Sequence, residues 1–397
     1  MTDPATRPAP PLLRRAAPAL LGYAAVRALG LVALALWSAA RDKSALTLLS
    51  ARWDSLWYTR VAELGYGYEV RLPNGDVHSN LAFFPLLPWL ERAVSAVTPL
   101  SYAHAGLVVG TLASLAAAWG IFAVTDHLYG GRVGVCAVLL WAVLPVGIVQ
   151  SMAYTESLFT ALAAWSLYAV LTGRWVTAGA LAALAGLTRP VGLAVVAAVW
   201  AAAIASYLRE RRHEPAPPFV RNRSVEALNS ASLWPRALGM LLAPLGAAGY
   251  VLWVGHRTAR GPLGYLDVQA GWRNGFDGGL AFARFVADKF TSFPSALAGV
   301  GLIIGVALII WLYTVCVRQG QPLPLLVYAG VVTALALCAS SYFGSKPRLL
   351  MPAFPLLLPL ARTLAGARTP GSATIVGAVG VASAIYGAFW LNGSGPP

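Results

Sequence analysis

The strongest constraint on this chain is a succession of apolar runs, each about 20 residues long, the length at which a helix crosses a bilayer. Hydrophobic residues make up 58% of the sequence and charged residues only 11%. A soluble domain is nearer a quarter charged. The sequence therefore predicts an all-α polytopic membrane protein, in which a water-facing segment near the amino terminus is held at the membrane by the spans around it.

The predicted organisation is a cytoplasmic tail at 1–15 followed by a single transmembrane domain at 16–397, with about eleven spans. A cleaved signal peptide is the alternative for the first span, but the run is long for one and Arg27 interrupts it. Spans 175–188 and 349–360 are short, which predicts tilted or broken helices. The predicted spans are 16–40, 103–124, 133–150, 154–171, 175–188, 190–208, 237–255, 295–315, 323–342, 349–360 and 372–391.

The orientation follows from the loops. Short inner connections carry almost only arginine, which favours a cytoplasmic amino terminus in the cell membrane. Residues 41–100 then form a first outer loop, 209–236 a cytoplasmic loop and 256–294 a second outer loop. Residues 81–100 contain Glu91, Arg92 and several prolines, which a spanning helix accommodates poorly. That segment is predicted to be interfacial or re-entrant.

Several function classes are disfavoured. The net charge of +14 is scattered among loops, so attraction to anionic lipid headgroups explains it more simply than nucleic acid does. The three cysteines offer no disulfide framework or Cys-x-x-Cys pair. The sequence has no glycine-rich nucleotide loop, no dinucleotide-binding unit and no paired-histidine metal spacing. A soluble nucleotide-sugar donor and a metal cofactor are therefore not expected.

Asp54 is the candidate catalytic residue, because it lies between Trp53 and Trp57 in the first outer loop. One interpretation is that Asp54 caps an amphipathic helix over 55–64, although Trp57 occupies the position of the capping-box Glu or Gln. On that helix Asp54, Trp57 and Tyr58 share a face. Aromatic rings beside a carboxylate suit a sugar, whose hydroxyl the carboxylate deprotonates. Capping and catalysis are compatible.

Further polar residues fall at predicted outer helix ends and in the outer loops. A purely structural role is open to each of them: a favourable first helical turn for Glu156, headgroup snorkelling for the basic residues and an ordinary loop position for His78. Arginine and lysine at these positions also suit a phosphate. The predicted donor-phosphate ligands are Arg189, Lys346 and Arg348, and the predicted substrate-binding residues are Trp53, Trp57, Tyr58, His78, Asn80, Tyr154, Glu156, Gln269 and Trp272.

Four motifs together resemble a known family. Trp53-Asp54, Gly65-Tyr66 and residues 82–88 resemble the first luminal loop of the PIG-V-type mannosyltransferases, which add the second mannose in glycosylphosphatidylinositol assembly. Residues 151–159 resemble the second signature of that family, and 188–192 and 269–272 resemble weaker third and fourth ones.

The resemblance implies the GT-C glycosyltransferase architecture and an active site on the non-cytoplasmic face. It also implies a polyprenyl- or dolichyl-phosphate-mannose donor, inverting and metal-independent transfer, and a general-base role for Asp54. This sequence departs from the eukaryotic pattern at His78, where an acidic residue is expected, and its composition suggests a high-GC bacterium. The acceptor is then a lipid or another component of the cell envelope.

The predicted function is therefore a membrane mannosyltransferase acting by a single in-line displacement. Two other classes stay open. A transporter or flippase of lipid-linked sugars would use the same aromatic and basic residues without breaking a bond. A structural assembly subunit would not need Asp54.

Overall fold

Helices make up nearly all of the regular structure in residues 11–212, 233–340, 342–393 and 395, which the computed structural model describes. Most of the predicted tail (1–10) and of the predicted inner connector (213–232) lies outside these residues. The helices are α1 (Leu12–Ala39), α2 (Ala45–Ser50), α3 (Asp54–Leu64), α4 (Leu86–Val97), α5 (Tyr102–Tyr129), α6 (Gly131–Ala142), α7 (Thr155–Leu171), α8 (Trp175–Gly186), α9 (Leu193–Arg211), α10 (Leu233–Leu242), α11 (Leu245–Arg257), α12 (Gly264–Gly271), α13 (Leu280–Asp288), α14 (Ser295–Arg318), α15 (Leu323–Cys338), α16 (Lys346–Leu350), α17 (Leu358–Gly366) and α18 (Thr369–Leu391).

Every predicted span coincides with a helix or a pair of helices. Six are long and apolar enough to cross a membrane, namely α1, α5, residues 190–211, residues 233–257, α14 and α18. A seventh is the pair 343–350 and 354–366, bent by 73°. The other four, α6, α7, α8 and α15, are apolar but only 10–17 residues long. The chain is thus a polytopic α-helical membrane protein, and in the part that the structure describes six or seven of the eleven predicted spans are long enough to cross a bilayer unaided.

The first predicted outer loop is folded. After α2 and α3, strands β1 (Glu69–Arg71) and β2 (Val77–Ser79) form an antiparallel hairpin that pairs Val70 with His78. Helix α4 then has 12 residues, which rise about 18 Å, well short of the roughly 30 Å hydrocarbon core. By its length α4 does not cross the membrane alone, and the interfacial placement of 81–100 stays a prediction.

The second predicted outer loop contains α12, strand β3 (Gly275–Phe276) and α13. Strand β3 pairs antiparallel with β4 (Ala339–Ser340), which follows α15, so that Gly275 lies opposite Ser340. This pairing holds the second loop beside the chain that leads into α16. Distant parts of the sequence thereby meet on one side of the helix bundle.

Small residues let α8 approach α10 and α11 closely. A Cβ added at Gly179 would overlap the backbone of Gly239, and one added at Gly246 would overlap the carbonyl of Ala183. Helices packed in membranes use such small residues because apolar side chains gain little by leaving lipid for protein. These contacts fix α8, and therefore the segment after it, which carries Arg189.

Two alanine substitutions on α11 test this packing. Gly246→Ala places a methyl group in the backbone of α8, and overpacking of this kind costs about 1–3 kcal/mol. We expect a measurable fall in the thermal unfolding temperature in detergent. Gly249→Ala is the control, since nothing lies within 4 Å of its added Cβ and alanine favours a helix over glycine. Equal unfolding temperatures for the two variants would contradict the packing described.

Candidate active site

Four segments meet at one end of the bundle and contribute the charged residues singled out in the sequence. Asp54 begins α3, Glu156 lies in the first turn of α7, Arg189 precedes the 3-10 turn that starts at Pro190, and Arg348 lies in α16. Three of these predicted residues, Glu156, Arg189 and Arg348, are separated from Asp54 by at least one complete helix. Their meeting is a property of the fold rather than of any local motif.

Arg348 links the two carboxylates. Its Nη2 lies 2.7 Å from Asp54 Oδ2, and its Nε lies 3.4 Å from Glu156 Oε1. Arg189 Nη1 pairs with the same oxygen of Glu156. The result is an alternating ion-pair cluster of Asp54, Arg348, Glu156 and Arg189, hereafter the charge cluster.

The members of the charge cluster differ in exposure. The side chain of Glu156 is 1% exposed and that of Arg348 is 9% exposed, whereas that of Asp54 is 28% exposed. Buried ions need partners because desolvation costs several kcal/mol for each of them. Glu156 therefore holds the two arginines in place. Asp54 lies at the more open end of the cluster and is the more accessible of the two carboxylates.

Asp54 is not the helix cap considered from the sequence. The N-cap of α3 is Trp53, and Asp54 is the first helical residue, where the helix dipole favours its charge. The backbone N–H of Asp54 donates to the hydroxyl of Tyr154 at 3.4 Å, and the Tyr154 ring lies 5.0 Å from the Arg348 guanidinium carbon. Tyr154 therefore contacts both ends of the Asp54–Arg348 pair.

Aromatic residues of the two predicted outer loops pack on one another. The Trp57 ring stacks on Phe83, with centroids 5.6 Å apart, and meets Trp272 edge-on at 4.8 Å. His78 stacks on the other side of this cluster, 4.0 Å from the Trp272 ring centroid. Burial lowers the pKa of His78, although the nearby Asp76 opposes this shift. The rings thus join the first and second predicted outer loops beside α3, and they are only partly available to a sugar.

Tyr58 and Asn80 make interior contacts. Tyr58 is buried against Thr155, with 3.1 Å between their hydroxyl oxygens. Asn80 is completely buried, and its side chain accepts from the Gly67 N–H and donates to the Gly65 carbonyl, each at 3.0 Å. These two residues stabilise the fold of the predicted first outer loop and lie beneath the surface that a substrate would contact.

The polar groups of Gln269 and Lys346 also form hydrogen bonds within the protein. Gln269 accepts from Asn274 at 2.9 Å and donates to the hydroxyl of Tyr265. Lys346 Nζ donates to the carbonyls of Ala336 and Ala339 at 2.8 and 2.9 Å. The predicted phosphate role of Lys346 thus has a structural alternative, capping the carboxyl end of α15, and Lys346 does not join the charge cluster.

An apolar groove of about 830 Å³ lies beside the site. Residues of α8 and α11 line it, together with Tyr66, Pro85 and Trp89. Its lining includes Leu187, the residue that leads through Thr188 to Arg189. Sequence reasoning missed this groove, because a groove depends on how two helices are spaced and no pattern within either helix shows that.

Comparisons with known proteins are informative about the fold. A profile of the dolichyl-phosphate-mannose-protein mannosyltransferase family matches residues 81–219, about a third of the chain, which includes Glu156 and Arg189. No curated protein sequence matches the chain significantly. The specific resemblance to PIG-V-type enzymes stays a prediction.

Solved structures match over most of the chain. ArnT from Cupriavidus metallidurans bound to undecaprenyl phosphate is 15% identical, with a TM-score of 0.50 over 87% of this chain and 60% of that one. The chain has the GT-C membrane fold. An oligosaccharyltransferase of Archaeoglobus fulgidus, in complex with zinc and sulfate, is 14% identical, with a TM-score of 0.43 over 93% of this chain and 53% of the other. The chain spans well under two thirds of the length of these proteins.

Glu91 is a buried carboxyl that the sequence analysis treated only as a charge opposing a span. It lies on α4, completely buried, and neither oxygen has a hydrogen-bond partner among the described residues. It occupies space opposite Gly106 on α5, close to Ala153. Burial raises the pKa of Glu91 to about 9. The carboxyl is therefore neutral at pH 7, which removes the cost of a buried charge.

A pH series tests this assignment. A carboxyl whose pKa rises on folding destabilises the fold as pH rises from its ordinary pKa near 4.5 to about 9, by about 1.4 kcal/mol per pH unit. We expect wild-type protein to lose thermal stability relative to Glu91→Gln across this window. Glu63→Gln, which changes an exposed carboxyl, is the control and should follow wild type. A constant difference between wild type and Glu91→Gln at all pH values would refute a neutral Glu91.

Proposed function

We propose that this GT-C chain is a membrane glycosyltransferase. It moves a sugar, for which mannose is the proposal, from a polyprenyl-phosphate-linked donor to a lipid or cell-envelope acceptor on the non-cytoplasmic face. The observation that carries the proposal is the charge cluster, in which a partly exposed carboxylate is paired with a buried arginine. The fold and the partial family match support the reaction class, while mannose and the outer face rest on the sequence.

The arginines of the cluster have capacity left for an anion. Arg348 Nη1 is buried without a hydrogen-bond partner among the described residues. A buried, unpaired donor is costly, and a guanidinium offers its donors in a fork that matches a phosphate. Arg189 is the more exposed of the two arginines, at 14%. Arg348 and Arg189 are therefore our proposed ligands of the donor phosphate, without Lys346.

Asp54 is suited to act as the base. Arg348 holds its Oδ2, and within the described part of the chain no hydrogen bond occupies Oδ1. In the proposed reaction Oδ1 takes the proton from an acceptor hydroxyl, whose oxygen attacks the anomeric carbon of the donor sugar. The bond from that carbon to the phosphate oxygen breaks, and the arginines stabilise the charge of the departing polyprenyl phosphate.

The apolar groove suits the polyprenyl chain. Its volume of about 830 Å³ lies within the range of small-molecule sites, and α8 leads from its wall to Arg189. A lipid lying along α8 would present its phosphate to the charge cluster. ArnT, whose fold this chain resembles, was solved bound to undecaprenyl phosphate, and the proposal extends that class of ligand to this chain.

The first experiment measures transfer from radiolabelled polyprenyl-phosphate-mannose in membranes that contain wild-type or Asp54→Asn protein. Loss of a general base lowers a rate by about 10²–10⁴-fold, so we expect that fall in label passing to a new product. Glu63→Gln, on the same helix but exposed, should transfer at the wild-type rate.

The other outcomes of this experiment favour a different mechanism or a different function. Transfer at the wild-type rate by Asp54→Asn would remove Asp54 from the mechanism. No transfer by any variant, with movement of labelled lipid between leaflets, would favour a flippase. If wild-type and Asp54→Asn proteins alike show neither sugar transfer nor movement of labelled lipid, a structural subunit would be favoured.

The groove is tested by changing the length of the lipid. Gly249→Leu fills the groove from α11, where glycine leaves the space open. We expect KM to rise at least about tenfold for a long polyprenyl donor, the effect of about 1.4 kcal/mol of lost binding, and to change little for a short prenyl donor. Gly301→Leu, on α14 and away from the groove, should change neither. Equal effects of Gly249→Leu on both donors would show that the groove does not hold the lipid.

A further inference from the structure

Two cations cap the carboxyl end of the last helix. Lys43 Nζ donates to the carbonyl of Asn392 at 2.7 Å, and Arg52 donates to the carbonyls of Leu391 and Gly393 at 3.1 and 3.0 Å. The last carbonyls of a helix have no partner within it and attract positive charge. Two residues of the predicted first outer loop, Lys43 and Arg52, therefore bind the end of α18.

Arg52 differs from Lys43 in what else it touches. Its guanidinium carbon lies 4.0 Å from the centroid of the Trp53 ring, a cation–π contact. Its backbone N–H and carbonyl both bond the buried hydroxyl of Ser55, at 2.9 and 2.7 Å. Arg52 therefore ties α18 to the turn that starts α3, while Lys43 lies one helix earlier in the chain.

That turn has an uncommon backbone conformation. Trp53 has φ +54° and ψ −122°, which a residue other than glycine adopts only at a cost. Such conformations persist where surrounding contacts hold them. The contacts here include the Arg52 stack on the Trp53 ring, the Ser55 bridge and the packing of Trp53 against the core. Asp54 is the next residue, and its carboxylate pairs with Arg348.

We infer that Arg52 is a positioning residue for Asp54, acting through Trp53 from its anchor on the end of α18. The inference rests on the proposed function for its catalytic consequence, but the geometry it describes is independent of activity. If Arg52 only capped α18, the Asp54–Arg348 pair would form equally well without it. If Arg52 aims Asp54, the pair weakens when Arg52 is removed.

A double-mutant cycle separates these cases, because residues that act through one another give non-additive effects. Thermal unfolding in detergent is measured for Asp54→Asn in three backgrounds, namely wild type, Arg52→Gln and Lys43→Gln. We expect Asp54→Asn to lower the midpoint by at least about 2 °C in wild type and in Lys43→Gln, and to have no further effect in Arg52→Gln. Lys43→Gln is the matched control, since it also removes a cation from the end of α18.

The same downward shift in all three backgrounds, or no shift in wild type, would overturn the positioning role. Transfer is then assayed in the single variants. We expect Arg52→Gln to lower kcat at least about tenfold with KM for the donor within about twofold, and Lys43→Gln to leave both near wild type. A wild type that transfers nothing would refute the proposed function, while the unfolding cycle would still decide whether Arg52 positions Asp54.

Discussion

An arginine removed from water needs partners for its charge and its donors, and Arg348 pairs with two carboxylates. Its contacts with Asp54 and Glu156 draw together α3, α7 and α16, which no local motif connects. Removing one partner of a buried ion pair costs about 3–5 kcal/mol, so each segment is held where the charges require it. The packing of glycines between α8 and α11 then fixes the fourth member, Arg189, against Glu156.

The sequence was sufficient for the class of fold because apolar runs determine membrane helices locally. Every predicted span has a helix, including the two predicted to be short or broken. Six or seven of the eleven predicted spans are long enough to cross alone, whereas helices such as α6 and α8, at 12 residues, are shorter than a single straight helix needs for a roughly 30 Å core. Length within an apolar run depends on where turns and prolines break it, which hydrophobicity alone does not show.

Part of the site was predictable because a charged side chain at membrane depth is costly and is kept for a partner or a function. Glu156, Arg189 and Arg348 were identified on that basis and do meet. Which charge pairs with which was not predictable, because pairing depends on the spacing of helices. Lys346, two residues from Arg348, bonds carbonyls at the end of α15 instead. The sequence pattern also does not show whether the amide of Asn80 is buried and closes a turn, as the structure has it, or contacts a substrate.

The charge cluster is formally neutral, yet its surroundings favour an anion. Asp54 is the first residue of α3 and Glu156 lies in the first turn of α7, so two helix amino termini, each equivalent to about half a positive charge, face the cluster together with two guanidinium groups. The carboxylates offset the arginines and leave the helix ends uncompensated. Because a bound phosphate would be stabilised by that remainder, the cluster suits both proposed roles, orienting Asp54 as the base and holding an anionic leaving group, within the same small volume.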